Sequence, residues 1–182
     1  MKKFELTNEF ITNMFGTKLF RIRALVEFGD VEAGELGGYV EKESNLGHDD
    51  NAWVYDNAWV YGNAWVYGDA QVSGDARVYD NAWVYGDAQV SGDARVYGNA
   101  RVYGNAWVYG NAWVYGNAWV YGNALVCSDE DYAYAHGFGS VNRTTTFFRL
   151  KDGGVGVRCG CFYGTLAQFR DKIRETHGET KK

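Results

Sequence analysis

Residues 51–128 read NAWVYD NAWVYG NAWVYG DAQVSG DARVYD NAWVYG DAQVSG DARVYG NARVYG NAWVYG NAWVYG NAWVYG NALVCS. These are thirteen consecutive six-residue units of the form Asn/Asp-Ala-x-Val-Tyr-Gly. The Ala recurs without exception from Ala52 to Ala124, and the Val recurs from Val54 to Val126. Such strict short periodicity predicts a solenoid, in which each repeat packs on its neighbours.

A second, longer period predicts the shape of this solenoid. The letters GDAQVS at residues 68–73 return at residues 86–91, eighteen residues later, and GDARVY follows each copy. A period of three hexads indicates three flat sides per turn, so we expect a mainly β chain folded as a single-stranded triangular parallel β-helix. Thirteen units at three per coil make about four and a third coils, stacked about 4.8 Å apart.

The direction of each side chain follows from alternation along a strand. In Ala-x-Val-Tyr, Ala and Val share one face, and x and Tyr share the other. Six large aromatic side chains per coil would not fit inside so narrow a prism. Ala and Val are therefore predicted to fill the core, and Trp and Tyr to point outward. Gly-Asn and Gly-Asp pairs are predicted at the corners, where a positive φ costs Gly little and is tolerated by Asn or Asp.

The hexad resembles the repeat of hexapeptide-repeat left-handed parallel β-helix proteins, and more narrowly of such proteins found in phages and prophages. The flanks carry the resemblance too, in FRIRAL at 20–25, GELGG at 34–38 and CGCFYGTL at 159–166. The resemblance implies a left-handed winding and the cytoplasm of an infected or lysogenic bacterial host. No activity comes with that family, so the likeness bears on the fold more than on the function.

The flanks are predicted to close the open ends of the helix, where unpaired strand edges and the core need covering. Residues 1–50 form the N-terminal cap, residues 51–128 the β-helix, and residues 129–182 a C-terminal ββα cap or oligomerisation unit. Val40 and Leu46 stand six apart, and Val54 follows eight later, which predicts an imperfect first coil with a two-residue insertion.

The predicted ββα unit begins with two β-rich runs, 144–151 and 155–162, around the turn signal Asp152-Gly153-Gly154. Thr165 and Gln168 have the spacing of a capping box, which predicts a helix that begins there and ends at Gly178. We expect this unit to pack on the last coil or to contact a neighbouring subunit.

Composition and charge exclude several classes of protein. Aromatic residues make up 17% of the chain, too many for a disordered one. The 18 basic and 23 acidic side chains give a net charge of −5, which argues against a dedicated nucleic-acid binder and against a nucleic-acid duplex as partner. Three cysteines cannot form a disulfide framework. Residues 1–15 lack a continuous apolar run, and no stretch reaches membrane-spanning length, so we expect a cytoplasmic protein without a membrane partner.

Enzymatic chemistry is not predicted. The best-known enzymes with this fold are acyltransferases. Resemblance to them would imply a histidine general base near the coils and coenzyme A bound between prisms. The thirteen hexads contain no histidine, and His48, His136 and His177 all lie in the flanks. Acyl transfer is therefore the weakest of the hypotheses, and no catalytic residue is assigned.

Metal binding is not predicted either, and no cofactor is expected. Cys159 and Cys161 share one strand face, but a zinc site needs four ligands, so Cys127, His136 or His177 would have to converge on them. Packing in the core is the commoner role of a free cysteine. Four acidic corner residues stack in two pairs without enough oxygen ligands for calcium; they are Asp69, Asp75, Asp87 and Asp93. The array also lacks the threonine ladders associated with ice binding.

The outer surface remains as the candidate site. All seven tryptophans and ten of the fourteen tyrosines lie in the array, and residues eighteen apart are predicted to stack in rows. The residues predicted to form a ligand or interface surface are Trp53, Trp59, Trp65, Trp83, Trp107, Trp113, Trp119, Arg77, Arg95, Arg101, Tyr61, Tyr79, Tyr97 and Tyr115. Stacked aromatic rings and Arg–Trp contacts would also stabilise a thin core.

Two functions follow from that surface. The first is a non-enzymatic interaction or scaffold protein that self-assembles through its aromatic faces, with a homotrimer burying the Trp59 and Trp65 faces, and that meets a host protein. The second is a module that sequesters a small ligand, a nucleotide or a glycan, on Trp, Tyr and Arg surfaces, with Arg77, Arg95 and Arg101 as the phosphate-binding group.

Overall fold

The N-terminal segment folds into an antiparallel meander that joins the solenoid. In the computed structural model, which describes residues 2–138 and 142–178, it forms β1 (Phe4–Thr12), β2 (Lys18–Ala24) and β3 (Leu36–Val40), followed by a 3-10 turn at Glu43–Asn45. Strand β1 pairs with β2, and β2 pairs with β3. The third strand then begins the parallel stacking that continues through the rest of the solenoid.

Each hexad forms one short strand. The thirteen strands are β4 (Trp53–Val54), β5 (Trp59–Val60), β6 (Trp65–Val66), β7 (Gln71–Val72), β8 (Arg77–Val78), β9 (Trp83–Tyr85), β10 (Gln89–Val90), β11 (Arg95–Val96), β12 (Arg101–Tyr103), β13 (Trp107–Val108), β14 (Trp113–Val114), β15 (Trp119–Tyr121) and β16 (Leu125–Val126). Each pairs in parallel with the strand three hexads on, as in Val60 opposite Val78 and Val78 opposite Val96. The register of eighteen residues confirms the predicted triangular parallel β-helix.

The strands form three sheets, which we name by the order in which the chain visits them. The first face holds β4, β7, β10, β13 and β16; the second holds β5, β8, β11 and β14 and is extended by β3, β2 and β1; the third holds β6, β9, β12 and β15. The five strands of the first face mark about five coils. The left-handed winding stays an expectation from the resemblance.

The core is as thin as the hexad predicts. Every Ala from Ala52 to Ala124 and every Val from Val54 to Val126 is at most 1% exposed. The corners are tight as well: Gly68 has a φ of +71°, and a Cβ placed there would lie 2.9 Å from the backbone nitrogen of Gly86 in the next coil. Asp80 stands where other hexads have Gly, with a φ of 59°. Backbone stacking therefore excludes most side chains from this position.

The predicted imperfect first coil is present. Val40 lies opposite Val60, and Leu46 bridges to Val66, both at an offset of twenty residues, whereas the next rung has the regular offset of eighteen. The two extra residues therefore lie between Leu46 and the first full hexad, as the spacing predicts.

Lys3 closes the open N-terminal end of the solenoid. Its ammonium group donates hydrogen bonds to the carbonyl oxygens of Asp50 and Ala52 at 2.6 and 2.8 Å, and it lies 4.5 Å from the centre of the Phe28 ring. Burial lowers the pKa of Lys3 to about 8, although nearby aspartates oppose the shift. The side chain replaces the backbone donors that a further coil would have supplied.

The predicted ββα arrangement of the C-terminal unit is incomplete, because residues 129–138 and 142–178 form four strands rather than two. They are β17 (Tyr132–Phe138), β18 (Arg143–Arg149), β19 (Val155–Cys159) and β20 (Phe162–Thr165), paired antiparallel in chain order and followed by α1 (Leu166–His177). The predicted hairpin is β18–β19. Strand β17 lacks β-branched residues, and β20 has only four residues before the helix, so neither shows a strong strand pattern.

The helix begins as predicted: the Thr165 hydroxyl accepts from the Gln168 N–H, the Gln168 side chain returns the bond, and Gly178 follows the last turn. The unit also packs on the last coil. Leu150 bridges to Ala124, and the Lys151 N–H donates to the Asn123 carbonyl at 3.0 Å. Among residues 2–138 and 142–178, no helix is both long and apolar enough to cross a membrane.

Candidate functional site

Two of the predicted tyrosine rows form continuous stacks. The second face carries Tyr61, Tyr79, Tyr97 and Tyr115, and the third carries Tyr67, Tyr85, Tyr103 and Tyr121. Ring centres in these rows lie 4.3–5.4 Å apart. Burial raises the pKa of Tyr79 and of Tyr85 to about 12. The ring faces are therefore occupied by other tyrosines, which stabilises the solenoid but leaves mainly ring edges to a partner.

The arginines of the array lie on tryptophan rings. The guanidinium carbon of Arg77 lies 4.2 Å from the Trp59 ring centre, and that of Arg95 lies 4.7 Å from Trp113. On the third face, Arg101 lies between Trp83 at 4.6 Å and Trp119 at 5.0 Å. Stacking holds each guanidinium plane in place, and the edges of that plane carry the N–H donors that can bind an oxygen ligand.

Trp53 is the main correction to the predicted surface. It is 0% exposed, because the N-terminal segment covers it with Phe4 and Phe28 in edge contacts at 6.2 and 5.3 Å. Gly37 lies so close that an added Cβ would meet the indole at 2.8 Å. Trp53 is thus a core residue of the N-terminal cap, which the hexad alone does not reveal.

The other predicted surface residues lie outside the core on all three faces. Trp107 is on the first face; Trp59, Arg77, Arg95, Trp113 and the row from Tyr61 to Tyr115 are on the second; Trp65, Trp83, Arg101 and Trp119 are on the third. Arg101 is therefore on a different sheet from Arg77 and Arg95. The three arginines predicted as one phosphate-binding group do not share a face.

A different set of arginines converges where the third face meets the C-terminal unit. A cleft of about 330 Å³ opens there, and Arg101 of β12, Arg143 of β18 and Arg158 of β19 line it. The remaining lining residues are Asn99, Asn117, Trp119, Thr144 and Gly160. We call this site the arginine cleft.

The C-terminal hairpin places the two additional arginines. Arg158 lies opposite Thr146 and Tyr163, its guanidinium carbon lies 5.3 Å from the Trp119 ring centre, and its Nη1 donates to the Phe162 carbonyl at 3.2 Å. The Arg143 side chain crosses Gly160, where an added Cβ would lie 2.9 Å from its Nη1. The row of Trp83, Arg101 and Trp119 is therefore continued by Arg158.

The cleft is basic although the chain is acidic. None of the lining residues in the described part of the chain is an Asp or a Glu. Within 2–138 and 142–178, none of its three arginines makes an ion pair, whereas Arg149 nearby binds Asp131 at 3.3 Å. Burial raises the pKa of Tyr103, and the neighbouring Arg158 opposes that shift. Unpaired guanidinium groups of this kind are suited to an anionic ligand.

An asparagine ladder runs along the corner between the second and third faces and ends beside the cleft. The side-chain amide of Asn63 donates to Asn81, Asn81 donates to Asn99, and Asn99 donates to Asn117, at 3.1–3.4 Å. The Nδ2 of Asn117 then lies 3.1 Å from Nε2 of His136. The Lys42 ammonium donates to the first Oδ1, which sets the direction of the whole ladder.

That direction determines the tautomer of His136. Because Asn117 donates, Nε2 accepts, and the ring proton is assigned to Nδ1, which lies 2.7 Å from Oγ1 of Thr144. The Thr144 hydroxyl accepts this bond and keeps its own proton for another acceptor. His136 therefore orients two groups that line the cleft.

Most of the cleft was not predictable residue by residue. The sequence pattern predicts no ligand-binding role for six residues in or beside the cleft: Asn99, Asn117, His136, Arg143, Thr144 and Arg158. One weak signal exists: residues 129–182 carry nine basic and seven acidic side chains, so they are net positive, whereas the chain as a whole is negative.

The other candidate residues have local partners. His48 stacks on Phe4 at 4.4 Å, its Nδ1 accepts the Lys3 N–H at 3.2 Å, and burial lowers its pKa. The Cys127 thiol donates to Asp131 at 2.8 Å. In the part of the chain that the structure describes, no three His, Cys, Asp or Glu side chains come together as a metal site would require.

Comparison with known proteins bears on the array. A family model described as the YdcK beta solenoid repeat matches residues 51–68, 70–86, 88–102, 94–110, 100–116 and 106–122. No curated protein matches the chain. All the matched segments lie between the N-terminal cap and the C-terminal unit. The array is thus a β-solenoid whose repeats are similar to the YdcK beta solenoid repeat.

Proposed function

We propose that the chain is a non-enzymatic binding protein whose arginine cleft holds a small anionic ligand. The observation that supports this most directly is the convergence of Arg101, Arg143 and Arg158 in a cleft whose described lining contains no carboxylate. Like charges placed together without compensation favour an anion from solution. This proposal takes up the predicted ligand-binding module but moves its centre from the middle of the array to its C-terminal end.

The solenoid would hold this site rigid. Arg101 lies between two indoles, and Arg158 lies over Trp119 and is anchored to the Phe162 carbonyl. Side chains that are already ordered lose less conformational entropy when a ligand binds. In this view, the stacked rows position the binding groups, and no step of covalent chemistry is needed.

Isothermal calorimetry with pyrophosphate tests the proposal. Arg158→Gln and Arg143→Gln should each weaken binding about tenfold or more, since a hydrogen bond to a charged group contributes about 1.5–3 kcal/mol. Arg95→Gln is the matched control, because it removes an arginine that stacks on Trp113 outside the cleft. Absence of pyrophosphate binding by the unmodified chain, or an equal loss in the control, would contradict the proposal.

Self-association is the second candidate. The last full coil exposes Trp107, Tyr109, Trp113 and Tyr115 by 36–42% each, which favours an aromatic contact at this end of the prism. The homotrimer predicted through the Trp59 and Trp65 faces has similar support on one side, since Trp65 is 39% exposed, whereas Trp59 lies beside Arg77. Light scattering at micromolar concentration, with Trp113→Ser beside the unmodified chain, tests it. A monomer under all conditions would remove this candidate.

The biological setting is a further part of the proposal. The flanking motifs support a phage or prophage origin and a place in the host cytoplasm, where a host protein or a small host metabolite would be the partner. The genes beside the coding sequence test this directly: phage structural or lysogeny genes are expected, and a chromosomal housekeeping operon would contradict it.

A further inference from the structure

The charge of the arginine cleft restricts its ligand. Three guanidinium groups line it, so a ligand with about two negative charges fits better than a monoanion. A phosphate monoester carries about −1.5 to −2 at neutral pH and presents three acceptor oxygens. The planar fork of an arginine matches two such oxygens at once.

The size of the cleft indicates that phosphate is only part of the ligand. Its volume of about 330 Å³ lies at the lower end of small-molecule sites, which hold about 300–1,000 Å³. A water molecule takes about 30 Å³ of liquid volume, so a phosphate group, with its five heavy atoms, would leave much of the cleft unfilled. An organic group bonded to the phosphate would occupy the remainder.

The wall beside the arginines indicates which kind of organic group would fit there. Asn99, Asn117 and Thr144 are uncharged. The ladder uses one donor and one acceptor of each amide, and an amide offers two of each, so one of each remains. The Thr144 hydroxyl, which accepts from His136, keeps its own proton. A wall of paired donors and acceptors fits hydroxyl groups, which also donate and accept.

Aromatic stacking is not the main source of recognition here. Arg101 and Arg158 lie 5.0 and 5.3 Å from the Trp119 ring centre. These two guanidinium groups take the ring positions on which a flat base would otherwise stack. Hydrogen bonds from the amide wall therefore favour a hydroxylated group over a purely aromatic one.

We infer that the arginine cleft binds a phosphate monoester of a sugar, with the phosphate on the three arginines and the sugar hydroxyls on Asn99, Asn117 and Thr144. This inference rests on the anion-binding function proposed above. A free sugar phosphate and the ribose phosphate of a nucleotide share this chemistry, and the experiment separates them.

Calorimetry of the full chain compares ribose-5-phosphate, AMP, inorganic phosphate and ribose. Ribose-5-phosphate should bind at least about tenfold more tightly than inorganic phosphate, because the amide wall adds several hydrogen bonds, and ribose alone should not bind. Tighter binding of AMP than of ribose-5-phosphate would identify a nucleotide, and the reverse a free sugar phosphate.

Two asparagine variants test whether the amide wall is the source of the preference for a sugar phosphate over inorganic phosphate. Asn117→Ala should lower affinity for the preferred sugar phosphate about fivefold, and affinity for inorganic phosphate by less. Asn51→Ala is the matched control, since it removes an exposed asparagine that donates to Asp69, away from both the ladder and the cleft. Thermal unfolding establishes that both variants fold.

The outcomes separate the two proposals. If inorganic phosphate and both phosphate esters bind equally well, or if Asn51→Ala loses as much as Asn117→Ala, the sugar-phosphate inference is wrong and the anion site stands. If none of the phosphate compounds binds, the proposed function fails, and this inference fails with it.

Discussion

The middle of the solenoid and its two ends are built on different rules. In the middle, an outward side chain meets a residue of the same repeat position one coil away: Tyr79 stacks between Tyr61 and Tyr97 at 5.0 and 4.9 Å. At the ends there is no further coil, so unrelated groups take its place. The backbone N–H of Trp113 donates to an Asp129 carboxylate oxygen at 2.7 Å, and the backbone N–H of Trp119 donates to the Thr146 hydroxyl at 3.0 Å.

Single side chains therefore contribute differently to stability in the middle of the solenoid and at its ends. Stability in the middle is a sum of similar nearest-neighbour contacts, so no single outward side chain decides it. At the ends each group fills a place that nothing else can fill. The arginine cleft forms at an end because only there does a periodic Arg–Trp row meet side chains of a non-repeating segment.

The largest difference in unfolding free energy is expected between alanine variants of Trp53 and Trp107, which belong to the same row of the first face. Trp53 is fully buried beneath the N-terminal cap, whereas Trp107 is 42% exposed and contacts the Lys151 ammonium at 4.0 Å. Trp53→Ala should lower the free energy of unfolding by about 3–5 kcal/mol, and Trp107→Ala by about 1 kcal/mol. Urea denaturation measures both. Equal losses would break the distinction between covered and uncovered positions.

A smaller effect should come from corner glycines, which test whether the middle depends on its backbone. Gly68→Ala combines a φ of +71° with a Cβ 2.9 Å from the next coil, whereas Gly16→Ala has a φ of +82° and open space around it. The second change should cost about 1–2 kcal/mol, and the first about 1 kcal/mol more. Thermal and urea unfolding of the pair provide the measurement; a milder Gly68 variant would show that the coils can separate.

The smallest expected effect concerns pH and the tyrosine rows. The pKa of Tyr79 is raised to about 12 in the folded chain from its ordinary 10.0, with burial as the main cause. Because the pKa is higher in the folded chain than in the unfolded chain, the unfolded chain loses its proton first as the pH rises, and this favours unfolding. The contribution to stability is therefore intact below pH 10 and is lost as pH rises toward 12. Phenolate absorbance should therefore appear late and together with unfolding. Complete ionisation near pH 10 in a folded chain would contradict the burial of these rings.

The fold could be predicted because the period of the hexad repeat specifies which residues pair between successive coils. Ala and Val at fixed places specify a core, and an eighteen-residue echo specifies three faces, so Val60 lies opposite Val78 as the spacing requires. The capping box at Thr165 is equally local. Strands β17 and β20 were missed because their pairing depends on neighbours that are far apart in sequence rather than on their own composition.

The site could be predicted only in part, for the same reason. Arg101 was identified, since it belongs to the array. Arg143 and Arg158 reach it through the docking of a separate unit, 42 and 57 positions along the chain, and no periodicity records that contact. Trp53 shows the opposite error: its hexad resembles the others, but Phe4 and Phe28 cover it.

The affinity of pyrophosphate for two double variants of equal charge shows whether the arginine cleft binds the anion. Arg143→Gln with Arg158→Gln removes two guanidinium groups from the cleft, and Arg77→Gln with Arg95→Gln removes two from the second face. We predict that the first pair weakens binding about 100-fold, taking each charged hydrogen bond at about 1.5–3 kcal/mol, while the second leaves it within about twofold. Equal losses in the two would show that net charge, and not the arginine cleft, binds the anion.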